Sequence, residues 1–277
     1  MGTKRTSGKR PLWEWILLIV LGFIIATFGY GLLMAVNQIS ENHDLPILNP
    51  LGAVIYLAMY AVFVRLIEKH WPTDLSLRQF VPHLSLGLLV GFVFMVLVVC
   101  TITALGNAYE SWSGFSWKEQ FAALMLFLSV AVAEEVIERG IIFRLVDERW
   151  GVWAALVVSA LIFGFGHIFN DNATWWSSLA ISIEAGLLLG AAYKWSGSLW
   201  LPIGIHWAWN YVQGNVFGLA VSGMDAGGTM LVTTVEGPDI VTGGAFGPEA
   251  SIVTVILGTL LTIVFLWNRY RPNNKTR

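Results

Sequence analysis

The chain has 277 residues, of which 56% are hydrophobic and only 12% are charged. Soluble domains usually carry about 25% charged residues, so this composition excludes an ordinary soluble protein and indicates an integral membrane protein. The net charge of −2 and the lack of a basic stripe give no indication of nucleic-acid binding. The single cysteine, Cys100, lies inside an apolar run and cannot form a disulfide within the chain.

Eight apolar segments approach the roughly 20 residues that a helix needs to cross a hydrocarbon core of about 30 Å. They predict an all-α, polytopic membrane protein that forms one integral membrane domain over residues 1–277. We interpret the first segment as an uncleaved helix, because it is longer than the usual signal-peptide run of about 7 to 15 residues. The predicted helices lie near residues 13–36, 50–67, 84–105, 118–143, 152–169, 175–194, 198–217 and 251–267.

Lysine and arginine are unevenly distributed among the connections between these helices. If the N-terminus is cytoplasmic, the connections on its side carry 15 of the 16 basic residues, all but Lys118. Basic residues concentrate on the cytoplasmic side of membrane proteins, so the pattern predicts eight crossings with both termini in the cytoplasm. The long connection 218–250, with eight glycines and no lysine or arginine, is then external. We interpret it as a flexible loop, with a lid or substrate-guiding role as the alternative.

The fourth predicted helix carries charges that a lipid-facing helix would not tolerate. Its end reads AVAEEVIERG, which places Glu134, Glu135, Glu138 and Arg139 within six positions. Four charges facing lipid would cost on the order of 10 kcal/mol, so we expect them to face protein, water or each other. Glu135 and Arg139 are four residues apart, in the order that favours an ion pair on one helix face. In the alternative, the helix ends near residue 137 and its charges lie among the headgroups.

Polar side chains also recur in the following predicted helices. The fifth carries Phe163 and His167, four residues apart, and the seventh carries His206 and Asn210 one turn apart on the same face. With a buried carboxylate, these groups provide a base, a second proton carrier and hydrogen-bond donors, which suffice to activate water and stabilise an oxyanion. Glu184, in the sixth helix, either lines the same cavity or is a structural hydrogen bonder.

The order and spacing of three patterns carry a family resemblance. E-E-x-x-x-R occurs at 134–139, F-x-x-x-H at 163–167 and H-x-x-x-N at 206–210. Over about residues 118–217 the sequence resembles the CPBP family of intramembrane endopeptidases, which includes the CAAX prenyl endopeptidases and the bacterial Abi proteins. The segment WSGSLWLPIGIHWAWN is similar to the bacterial branch of this family, which implies a bacterial inner membrane protein.

The resemblance implies a catalytic cluster on the fourth, fifth and seventh helices. Glu134 and His167 would activate the attacking water, and His206 and Asn210 would form the oxyanion hole. The substrate would be a peptide or membrane protein within the bilayer. Three further residues of the patterns would support the site without reacting, namely Glu135, Arg139 and Phe163.

Other mechanisms and functions remain open. Two histidines and a glutamate could ligate zinc, but H-E-x-x-H and H-x-x-E-H are absent, so we favour a metal-free mechanism without a cofactor. A non-catalytic immunity or adaptor protein would use the same polar cluster for packing. A transporter would be expected to show inverted repeats, and the sequence shows none.

The two histidines are predicted at different depths. With a rise of about 1.5 Å per residue, His206 lies roughly 12 Å and His167 roughly 24 Å from the cytoplasmic start of its own helix. A shared site therefore requires helix tilt, or helix ends that differ from those that hydropathy predicts.

Overall fold

The computed structural model describes residues 10–43 and 45–270, and this part of the chain is an all-α bundle with one two-stranded sheet. Its α-helices are α1 Leu12–His43, α2 Asn49–Leu66, α3 Leu77–Ala104, α4 Trp117–Glu135, α5 Arg144–Trp150, α6 Val152–Gly166, α7 Trp175–Ile181, α8 Leu187–Ser196, α9 Trp200–Tyr211, α10 Asp239–Thr242 and α11 Ile252–Tyr270. Stretches of π-helix occupy Val136–Phe143, Ser182–Gly186 and Val212–Val216. The strands are β1 Ala108–Trp112 and β2 Leu231–Val235.

Seven helical stretches in the described residues are long and apolar enough to cross a membrane, which confirms a polytopic membrane protein. The predicted crossing at 198–217 does not qualify by length. It consists of α9 and the π-helical turn after it, 12 and 5 residues long. Its start is covered by protein: Leu199 is fully buried, and its N–H donates to the carbonyl of Asp74 at 3.0 Å.

Both ends of the described chain lie at one face of the bundle. Arg10 forms an ion pair with Glu148 at 2.7 Å. At the other end of the chain, Arg269 lines a cavity of about 280 Å³ together with Arg144 and Lys194. We call this side, defined by Arg10, Arg144, Lys194 and Arg269, the basic face.

α9 runs from the basic face to the opposite face. Its start contacts the connection between α2 and α3 through Asp74, which lines the cavity at the basic face. Beyond its end, the carbonyl of Asn215 accepts a hydrogen bond at 2.8 Å from Met230, next to β2. The predicted seventh segment thus joins the two faces of the bundle despite its length.

Residues 218–250 fold onto the face opposite the basic face. β2 pairs antiparallel with β1, with Ala108 opposite Val235, so the segment is attached to the connection before α4. Val221 and Phe246 are buried, and Gly223 donates to the carbonyl of Phe246 at 2.7 Å. The segment therefore contains regular structure and packs on the bundle, while its flexibility and its role as a lid stay predictions.

α3 and α9 approach each other through glycines. A Cβ atom at Gly91 would lie 2.2 Å from the carbonyl oxygen of Ile205, and one at Gly204 would lie 2.6 Å from that of Leu84. Small residues permit such close backbone packing between membrane helices. This crossing fixes the backbone of α9 on either side of Ile205, next to His206.

Candidate active site

The charged segment lies inside the bundle and not among lipid headgroups. Glu134 and Glu135 are the last residues of α4, and the chain continues as π-helix through Glu138 and Arg139 and then as α5 to Trp150. Glu135 and Arg139 have no exposed surface, and Glu138 is 6% exposed. The alternative in which the helix ends near residue 137 is therefore wrong, because the helical path carries these charges onward within protein.

A buried chain of hydrogen bonds connects α4 to α9. Arg139 donates to Glu135 Oε1 at 2.9 Å, which confirms the predicted pair on one helix face. The same oxygen accepts a hydrogen bond from His206 Nδ1 at 3.0 Å. Arg139 also donates to the carbonyl of Gly186 at 3.1 Å and lies over the ring of Phe163, 4.8 Å from its centroid. Each charge in this chain has a partner, as buried ions require.

His206 lies between two carboxylates. Its Nδ1 is bound to Glu135, and its Nε2 lies 3.8 Å from Glu134 Oε2. That distance is too long for a direct hydrogen bond and suits a bridging water or substrate group. The side chain of Glu134 is 27% exposed, so it can be reached from outside the protein core.

His167 is held in one tautomer by its own helix. It follows directly after α6, and its Nδ1 donates to the carbonyl of Phe163 at 2.7 Å. A carbonyl oxygen can only accept, so the neutral ring carries its free lone pair on Nε2. Phe163 packs edge-on against both imidazoles, with ring centroids 5.0 Å from His167 and 5.9 Å from His206. The two histidines therefore lie near each other, both packed against one phenyl ring.

A cavity of about 20 Å³ joins the predicted residues of α6 and α9. Roughly 10 to 15 Å³ is enough for one water molecule. Three of the predicted catalytic residues line this cavity, namely His167, His206 and Asn210. Asn210 is 7% exposed. Glu134 does not line it and reaches the cluster through His206 instead. The polar lining groups are His167, His206, Asn210, Glu184, Ser222 and Glu249.

Sequence reasoning missed two groups that residues 218–250 bring to the cavity, Ser222 and Glu249. Glu249 accepts hydrogen bonds from the backbone N–H of Ser222 at 3.0 Å and from Gln213 Nε2 at 2.7 Å. Burial raises the pKa of Glu249, while these hydrogen bonds and the charge of His167 act in the opposite direction. The position of Glu249 at the cavity could not be predicted, because nothing in the sequence shows which helices this glycine-rich connection covers.

Within residues 10–43 and 45–270, no three histidine, cysteine, aspartate or glutamate side chains are arranged to hold a metal ion. Zinc sites normally use three or four such ligands. The absence of a cofactor stays a prediction.

The fold and the site define a membrane-embedded protein with a buried cluster of ionisable groups. Residues 116–212 match the family model described as "Type II CAAX prenyl endopeptidase Rce1-like", so this segment is similar to the CAAX protease family. The match covers about a third of the chain and contains all three sequence patterns. Comparisons with curated proteins and with solved structures found no match. The family supports intramembrane proteolysis as the general activity, and the predicted bacterial branch stays a prediction.

Proposed function

We propose that this protein is an intramembrane endopeptidase in which Glu134 is the base for the attacking water and His167 is a second proton carrier. His206 and Asn210 donate hydrogen bonds to the oxyanion. The substrate is a peptide or a membrane protein, and a prenyl group is not part of the proposal. The observation that carries it is the convergence of polar groups from α4, α6 and α9 on one buried cluster.

The proposed reaction needs no nucleophile from the protein. Water attacks the carbonyl carbon as Glu134 takes one of its protons. That proton passes to the free Nε2 of His167, which delivers it to the amine nitrogen as the C–N bond breaks, so the acyl half leaves as the acid and both residues return to their starting states. Glu134 Oε2 and His206 Nε2 lie 3.8 Å apart without a direct hydrogen bond, so both atoms are open to a reacting group. The free Nε2 of His167 suits proton transfer, because its Nδ1 is committed to Phe163.

His206 is positioned for its role by residues that do not react. Glu135 accepts from its Nδ1 and stabilises a charged ring, which leaves Nε2 as the donor that faces the reacting groups. Arg139 keeps Glu135 in place at 2.9 Å. Removal of one oxyanion donor typically lowers kcat by about a hundredfold to a thousandfold.

The test is proteolysis by purified protein in liposomes, with a library of membrane-tethered peptides as substrates. We expect Glu134→Gln and His167→Ala to abolish cleavage while the melting temperature stays near that of the wild type. Glu138→Gln is the matched control, since Glu138 is a buried glutamate of the same helical path that does not line the cavity. Its activity should remain.

Two results would contradict the proposal. Wild-type activity in the Glu134→Gln protein would remove Glu134 as the base. A wild type that cleaves no peptide would favour the non-catalytic immunity or adaptor protein. The same assay with strong chelators addresses the metal: activity should persist, and stoichiometric zinc that restores lost activity would overturn the metal-free mechanism.

A further inference from the structure

Glu184 is a buried acid whose carboxylate has no partner in the described protein. The residue is fully buried, and neither of its carboxylate oxygens makes a hydrogen bond. A buried polar group without a partner is costly, so such a group calls for an explanation. These contacts do not support a structural hydrogen-bonding role for Glu184, which is one of the two interpretations of the sequence.

The backbone that carries Glu184 is closely packed on both sides. It lies in the π-helical turn Ser182–Gly186, and such turns often occur at functional sites. A Cβ atom at Gly258 of α11 would lie 2.7 Å from the carbonyl oxygen of Glu184, which shows how closely that helix packs against the turn. On the other side, Arg139 donates to the carbonyl of Gly186. The same arginine thus holds both Glu135 and the turn that carries Glu184.

Glu184 lines the cavity that it shares with His167, His206 and Asn210. The second carboxylate of this cavity, Glu249, already accepts hydrogen bonds from Ser222 and Gln213. Of these two carboxylates, Glu184 is therefore the one whose oxygens accept no hydrogen bond from the protein.

The position of the cavity indicates what donates to Glu184. Glu134, the proposed base for the water, does not line the cavity, whereas His167, the proposed proton donor to the amine, does. The two proposed oxyanion donors, His206 and Asn210, line it as well, so the cavity lies away from the proposed base and beside the donor to the amine. At about 20 Å³ it has room for a group the size of one water molecule, and an amine nitrogen is of that size.

We propose that Glu184 is a further catalytic residue, whose carboxylate accepts a hydrogen bond from the N–H of the scissile peptide bond and from the amine that leaves. The inference rests on the proposed function. As the C–N bond breaks, nitrogen takes its proton from His167 and keeps its hydrogen bond to Glu184, so Glu184 gains and loses no proton.

The test compares two substrates with identical flanking residues, a peptide and its analogue with an ester in place of the scissile amide. The ester has no N–H group that could donate a hydrogen bond to Glu184. We expect Glu184→Leu to lower kcat/KM on the peptide by about tenfold or more and to leave cleavage of the ester unchanged. Glu184→Gln keeps one acceptor oxygen, so its activity on the peptide should lie between those of the wild type and Glu184→Leu.

Stability separates this role from a structural one. Since the carboxylate has no partner, Glu184→Leu should melt no lower than the wild type. Ser178→Ala is the matched control, because Ser178 is a buried polar residue of the preceding α7 whose hydroxyl also lacks a partner and which does not line the cavity. It should leave cleavage of both substrates unchanged.

Three results overturn the inference: wild-type cleavage of the peptide by Glu184→Leu, an equal loss on peptide and ester, or a lowered melting temperature. If Glu184→Leu does not fold, that outcome shows a structural role and counts against the inference in the same way. A wild type that cleaves neither substrate is a distinct result, since it overturns the proposed function itself.

Discussion

At the scale of single residues, Arg139 connects the parts of the site. It is fully buried, and it binds Glu135 and the carbonyl of Gly186 while it lies over Phe163. Removal of one member of a buried ion pair typically costs about 3 to 5 kcal/mol, because the other charge is left without a partner. We expect Arg139→Ala to lower stability by an amount of this order.

The same substitution should also lower activity, since Glu135 orients His206 only while Arg139 holds it in place. Unfolding in detergent and peptide cleavage measure the two effects. Arg78→Ala, at an exposed arginine outside the site, should change neither. An Arg139→Ala protein that is as stable as the wild type would show that this chain of hydrogen bonds does not hold the helices together.

The residue-level contacts that sequence could predict are those set by helical spacing. Glu135 and Arg139 form their pair, and His206 and Asn210 line one cavity, because residues four apart lie on the same helix face. The partner of Glu134 could not be predicted from spacing. The ion-pair contact of Glu134 is with His206 and not with His167, and it depends on how α4 packs against α9.

At the scale of elements, the crossing of α3 and α9 determines where His206 and Asn210 lie. A methyl group at Gly91 would meet the carbonyl oxygen of Ile205 at 2.2 Å, so the helices would have to separate. Overpacking of this kind typically costs about 1 to 3 kcal/mol. We expect Gly91→Ala to lower both the melting temperature and kcat, since α9 carries two proposed catalytic groups.

Gly31→Ala in α1 is the matched control for this prediction. A Cβ atom at Gly31 meets nothing within 4 Å. Alanine favours helix over glycine by about 1 kcal/mol, so this variant should be at least as stable as the wild type and fully active. Equal behaviour of the two alanine variants would mean that α3 and α9 can separate without cost.

Helix bounds show the limit of hydropathy as a predictor. Hydropathy predicts the segments near 84–105 and 152–169 because their helices, α3 and α6, are apolar also over the surface that the protein leaves exposed. Hydropathy cannot reveal that α9 begins inside the protein, because the burial of Leu199 depends on Asp74 in a distant connection. The π-helical turns likewise have no pattern in the sequence that would predict them.

At the scale of the whole molecule, both ends of the described chain meet at the basic face, which requires an even number of crossings. The seven stretches that qualify by length would place the ends on opposite sides. We expect α9, most of whose residues are buried, to supply an eighth crossing. The excess of lysine and arginine at the basic face favours the cytoplasm as its side.

Thiol labelling in intact cells tests this topology. With Cys100 replaced by alanine, single cysteines are introduced by Arg78→Cys, Arg269→Cys and Glu236→Cys, all at exposed positions. We expect a membrane-impermeant maleimide to label position 236 in intact cells, and positions 78 and 269 only after permeabilisation. With eight crossings, positions 78 and 269 behave alike because they lie on the same side. If position 269 were labelled in intact cells while position 78 stayed protected, α9 would not cross the membrane and the proposed site would lose its place inside the bilayer.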